Sequence, residues 1–123
     1  MNIRQEAVRP TERDRTKVLF VCSRNQWRSP TAEQVWRRHP ALLVRSAGTS
    51  HHARHTVSLA DLEWADVIFV MEDKHKSRLV AEFRRVIENK VIHVLDIPDE
   101  YKLMDPELVD LLRQSVGSIL DLA

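Results

Sequence analysis

The sequence predicts an α/β fold: a single three-layer domain whose four-stranded parallel sheet carries helices on both faces. Three observations predict it. Four short apolar, β-branched runs at 17–22, 42–46, 67–71 and 91–95 alternate with stretches whose apolar residues recur at helical spacing. A chain of 123 residues has the size of one compact domain and buries roughly two-thirds of the surface its unfolded form exposes. The chemistry-bearing stretches Cys22–Ser29, Ser46–Thr49, Met71–Asp73 and Asp96–Tyr101 all follow the runs. Open parallel sheets bind ligands at those strand ends.

Taken in order, residues 1–16 are polar and mixed in charge, which predicts a flexible N-terminal extension before a domain at 17–123. Strand 1 covers 17–22. Ser29-Pro30 then reads as a helix start, with Ser29 as the capping side chain and Pro30 at the first helical position. The helix runs to about Arg38 and buries Ala32, Val35, Trp36 and His39. Strand 2 covers 42–46 and leads into the turn Ser46-Ala47-Gly48-Thr49. His51, His52 and His55 follow in a polar loop over the rim of the site. Their spacing is poor for a metal, and no metal is expected.

Ser58 with Asp61 three residues on predicts a capped short helix to Trp64 that buries Leu59 and Leu62. Strand 3 covers 67–71. A helix capped by Glu72-Asp73 then buries Leu79, Val80, Phe83 and Ile87. Lys74, Lys76, Arg78, Arg84 and Arg85 form its solvated face, with a site for an acidic partner as the alternative. Strand 4 covers 91–95, with His93 partly buried. Asp105-Pro106-Glu107 opens the last helix, whose stripe is Leu108, Leu112, Val116, Ile119 and Leu120.

Composition narrows the function classes. A net charge of +1 suggests neither a nucleic-acid nor a membrane partner. One cysteine excludes an intrachain disulfide framework and an all-cysteine zinc site. It suits a reducing compartment, and no signal-peptide segment is evident, so a cytoplasmic location is expected. A monomer or weak dimer is expected. Two glycines and no GxxxxGK pattern leave no nucleotide loop. No cofactor is expected.

The stretch Cys22-Ser23-Arg24-Asn25-Gln26-Trp27-Arg28-Ser29 carries the chemistry. A loop that feeds a helix N-terminus turns backbone N–H groups toward one point and favours negative charge there. Arg28 adds a planar fork that matches two phosphate oxygens. The same positive field favours a thiolate at Cys22, which is a nucleophile. An ester leaving oxygen must be protonated, so a carboxylic acid near the loop is expected. Asp99 and Asp96, beyond strand 4, are the candidates.

The Cys-x5-Arg-Ser spacing near the N-terminus, between first strand and first helix, resembles the low-molecular-weight protein tyrosine phosphatases. Ser46-Ala47-Gly48-Thr49 and Asp66-Val67-Ile68-Phe69-Val70-Met71-Glu72 resemble the same family in order. The resemblance implies sheet order 2-1-3-4 and a cysteinyl-phosphate mechanism. Cys22 would attack phosphorus, while Arg28 and the loop from Ser23 to Trp27 hold the oxygens. Ser29 would donate to the thiolate and Ser46 would brace Asn25. Asp99 would be the general acid and Tyr101 the aromatic residue of an Asp-Pro-aromatic motif.

Several positions depart from the family pattern. Glu100 replaces the proline of that motif. Arg24 replaces a loop glycine, and strains the loop if its backbone is left-handed. Trp27 replaces a second loop cysteine, so Cys22 lacks a thiol partner and is open to over-oxidation. Trp27 either stacks on an aryl group or packs on its own domain. The missing thiols argue against the related arsenate reductases. The expected function is hydrolysis of a small aryl phosphate or of a phosphotyrosine protein. A catalytically weak phosphate- or phosphoprotein-binding module and a cysteine-phosphorylated carrier are the competing readings.

Overall fold

The computed structural model describes residues 14–122, and most of the expected N-terminal extension lies outside that range. Four strands are present: β1 (Thr16–Cys22), β2 (Leu42–Gly48), β3 (Val67–Val70) and β4 (Val91–Val94). All pairings are parallel, and the sheet order is β2-β1-β3-β4. The helices are α1 (Arg28–Trp36), α2 (Leu59–Trp64), α3 (Asp73–Glu82), α4 (Arg84–Ile87) and α5 (Pro106–Ile119). The α/β class, the parallel sheet and its 2-1-3-4 order all match the expectation.

The side-chain alternation of the strands divides the core in two. Val18, Phe20, Val67 and Phe69 face α1 and α5, and meet Ala32, Trp36, Leu108, Leu112 and Val116. Leu19, Val21, Ile68 and Val70 face the other way, onto Leu62, Leu79 and Ile87. Both central strands are therefore apolar at every core position, as a sheet covered on both faces requires. Among the described residues, no helix is long and apolar enough to cross a membrane.

Local chemistry explains most boundaries. Ser58 Oγ accepts from Asp61 N at 3.2 Å, and Asp61 Oδ2 accepts from Ser58 N at 3.0 Å, a reciprocal cap for α2. Asp105 Oδ1 accepts from Glu107 N at 2.9 Å at the start of α5.

Five expectations are corrected. Helix α1 begins at Arg28, and Trp27 sits at its cap position without a side-chain bond; Ser29 is occupied elsewhere, as described below. Helix α1 ends at Trp36, so His39 lies beyond it, half-buried against the Trp36 ring. Leu59 is 52% exposed because α2 is only six residues long and turns Leu62 inward instead. The expected helix from 73 to 87 breaks at Phe83 (φ −131°), and Val80, one position round the helix from the buried Leu79, faces solvent. Ile119 also faces solvent, at the last residue of α5.

Strand β2 runs two residues past its expected end, pairing Gly48 with Cys22. A Cβ on Gly48 would lie 2.6 Å from Ser23 O and 2.6 Å from the Ala53 Cβ. Glycine is required here by close approach. Gly48→Ala is expected to destabilise the protein by about 2 kcal/mol, read as a lowered urea midpoint. An unchanged midpoint would show that the neighbouring loop yields at no cost.

Candidate active site

The loop from Cys22 to Arg28 is held from outside by its carbonyls. Cys22 O accepts from Thr49 N (3.0 Å), Ser23 O from Ser50 N (2.9 Å) and Arg24 O from Arg54 N (3.0 Å). Among the described residues, no backbone carbonyl accepts from the amides of residues 23–27. A ring of amides left unpaired in this way is what an oxyanion nest supplies.

Asn25 makes the turn possible. Its φ of 53° is left-handed, a conformation that asparagine tolerates. Arg24 is not among the left-handed residues, so its side chain adds charge at the exposed rim without backbone strain. Asn25 Nδ2 donates to Ser46 Oγ and to Ser29 Oγ, each at 2.9 Å. Ser46 Oγ in turn donates to Glu33 Oε1. Ser29 Oγ lies 3.0 Å from Cys22 Sγ. Because that oxygen already accepts from Asn25, its own proton points to the sulfur or to Ala47 O at 3.3 Å.

Arg28 is buried, at 2% exposure, and a buried guanidinium must be paired. Its Nη1 donates to Glu72 Oε1, just past β3, and to Ile97 O (2.8 Å), just past β4. Its Nε faces Asp99 Oδ1 at 3.7 Å. Burial pushes the Glu72 carboxyl up, but the Arg28 bond and charge outweigh this and hold it below its ordinary value.

Cys22, Ser23, Arg24, Gln26, Trp27, Arg28 and Asp99 line one cavity of about 150 Å³. Drug-sized pockets run to roughly 300–1,000 Å³, so this one suits a single small anionic group. Asn25 and Ser29 sit beneath it and serve the loop. Tyr101 does not line it and packs against the apolar cluster under α5. Trp27 is 36% exposed at the mouth. Asp96, with φ 56°, instead lines a separate groove with Glu72, Asp73, Lys74 and Pro98.

The histidines divide. His55 Nε2 bonds Asp61 Oδ2 at 2.7 Å. Burial opposes ionisation of Asp61, yet the bonds from His55 and Ser58 hold its carboxyl below the usual range. His51 and His52 are exposed beside the loop. Among the described residues, no group of three His, Cys, Asp or Glu is placed to hold a metal.

Sequence reasoning missed four supports: Glu33, Thr31, Glu72 as the partner of Arg28, and His75. Thr31 Oγ1 donates to Trp27 O at 2.6 Å and accepts from Met104 N at 2.9 Å, tying the segment after β4 to the loop. His75 is 1% exposed. Its Nδ1 accepts from Glu72 N at 3.0 Å, so its proton resides on Nε2, which donates to Ser23 Oγ at 2.8 Å. The signal available for His75 was an acidic cap followed by a histidine three residues on.

No family model and no curated protein matches the chain by sequence. Solved structures do. The low-molecular-weight protein tyrosine phosphatase from Streptococcus pyogenes superposes with a TM-score of 0.72 at 20% identity, over 86% of this chain and 91% of that one. Vibrio vulnificus Wzb, solved with benzylphosphonate, gives 0.71 at 22% identity, over 88% and 99%. The YwlE arginine phosphatase from Geobacillus stearothermophilus gives 0.64 at 21%, over 87% and 89%. The fold is that of the low-molecular-weight protein tyrosine phosphatases. The loop Cys22–Arg28 follows the C-terminal end of the central strand β1.

Burial, then the Arg28 charge, push the His75 imidazole down to about 4 from 6.5. The unfolded chain therefore binds a proton at pH 5 that the folded chain refuses, and stability falls as pH drops from about 6.5 toward 4. Between pH 7 and 5 the loss is expected to be about 2 kcal/mol. Urea midpoints across that window check it: His75→Gln should be less stable at pH 7 and flatter with pH. A wild-type slope retained in the variant would assign the effect elsewhere.

Proposed function

We propose that this protein is a phosphatase that hydrolyses aryl phosphate or phosphotyrosine monoesters through a cysteinyl-phosphate intermediate. The observation that carries the reading is that Cys22, Arg28 and Asp99 converge on one small cavity at the end of β1. The likeness to structures named as tyrosine and arginine phosphatases supports it, as does benzylphosphonate, whose phosphorus stands beside an aromatic ring, in one of them.

In the first step Cys22 Sγ attacks phosphorus. The P–S bond forms as the bond to the leaving oxygen breaks, and Asp99 gives that oxygen its proton. Arg28 and the loop amides stabilise the three equatorial oxygens, whose charge is spread in the transition state. Arg28 needs no rearrangement to do so, because Glu72 and Ile97 already fix its plane. In the second step the Asp99 carboxylate takes a proton from water as that water attacks phosphorus. The P–S bond breaks, inorganic phosphate leaves, and Ser29 receives the returning thiolate. No step calls for a metal or cofactor. Asp99 is favoured over Asp96 because only Asp99 lines the cavity.

Steady-state hydrolysis of p-nitrophenyl phosphate tests the reading. Cys22→Ser is expected to abolish turnover. Asp99→Asn should lower kcat about 10²–10³-fold and remove one limb of the pH profile, while Asp96→Asn stays close to wild type. Folded, reduced wild type that binds phosphate without hydrolysis would instead establish the binding module. A phosphoarginyl peptide run beside a phosphotyrosyl one separates the two substrate classes named among the structural neighbours.

A further inference from the structure

A second cavity, of about 320 Å³, opens on the other side of Ser23 from the catalytic one. Two cationic side chains from α3, Lys74 and Arg78, form one wall. Thr49 and Ser50, whose backbone amides hold the phosphate loop by its carbonyls, also line the cavity. His51 and His52 add two exposed imidazoles. No carboxylate lines this cavity, although nearly half of the chain's charged residues are acidic. Arg78 Nε is engaged by Glu82, one helical turn on. That contact uses one of five guanidinium N–H donors and fixes the direction of the stem. Lys74 Nζ is only loosely paired, at 3.8 Å from Glu72.

We infer that this cavity is an anion subsite, which binds a second negatively charged group of the substrate next to the phosphoryl ester held at Cys22. The inference rests on the phosphatase reading above and deepens it by naming a substrate class. Ser23 lines both cavities, so the two sites adjoin. Consecutive residues of an extended chain advance about 3.3–3.6 Å each. A peptide whose phosphorylated residue enters the first cavity therefore delivers a neighbour, one or two residues away, to the second. The chemistry shared by the acceptable neighbours is an anionic oxygen group, either a carboxylate or a second phosphoryl. The charged helix face read from the sequence as solvated thus has one end turned to recognition.

Three peptides carrying a non-hydrolysable phosphonomethyl-phenylalanine test this by calorimetry. Their flanking residues are glutamine, glutamate or phosphoserine. Wild type should bind the glutamate peptide about fivefold more tightly than the glutamine peptide, the scale of an exposed charge pair. The phosphoserine peptide should bind tighter still if phosphoryl is the preferred group, and no tighter if carboxylate is. Added salt should shrink the differences. Arg78→Gln should erase the preference and Arg78→Glu should reverse it, with p-nitrophenyl phosphate turnover unchanged in both. Equal affinity of wild type for all three peptides, or an unaltered ranking in both variants, would overturn the subsite alone. Failure of every peptide to bind would overturn the phosphate pocket beneath it as well.

Discussion

A guanidinium buried to 2% exposure is the constraint around which the rest of this molecule is arranged. Such a group is tolerated only when its donors are met by acceptors in fixed places. Arg28 finds Glu72 after β3 and Ile97 O after β4, while its own loop rises from β1. Three strand ends must therefore meet at one point. The order β2-β1-β3-β4 provides this, since β1, β3 and β4 are consecutive neighbours. Sheet topology and site electrostatics are one requirement seen at two scales.

The fourth strand contributes by a different route. β2 supplies no charge to Arg28. It supplies Gly48, Ser46 and the segment from Thr49 to Arg54, which take up the loop's carbonyls and its Asn25 side chain. With the carbonyls bound outward, the amides of residues 23–27 are left without a backbone acceptor among the described residues. The nest is thus a consequence of which backbone groups are already satisfied, and the lack of a Cβ at Gly48 lets the two segments come close enough to satisfy them.

What the sequence made legible was local. The apolar runs declared the strands because both faces of the sheet are covered, and the loop's residue types lie within eight consecutive positions. The supports were illegible because their partners are remote: Glu72 meets Arg28 across 44 positions, His75 meets Ser23 across 52, and Met104 meets Thr31 across 73. Ser29 has the composition of a cap, but the thiol and Asn25 claim its hydroxyl, a tertiary demand that overrides the local preference. The choice between Asp96 and Asp99 depended on the path of one loop. With a left-handed backbone at Asp96, the two carboxylates line different cavities, and no pattern of residue types encodes that.

The segment that carries Asp99 is pinned at both ends. Ile97 is held through its amide by Met71 O and through its carbonyl by Arg28, and Met104 is held by Thr31. Asp99 lies two residues from the first pin, so its backbone can travel no more than about 7 Å from it. The Asp99 carboxylate rides on a short bridge slung between two abutments, not on a swinging gate. Whatever enters the cavity must be brought to that carboxylate, and the shape of what fits beneath the bridge is set when the chain folds.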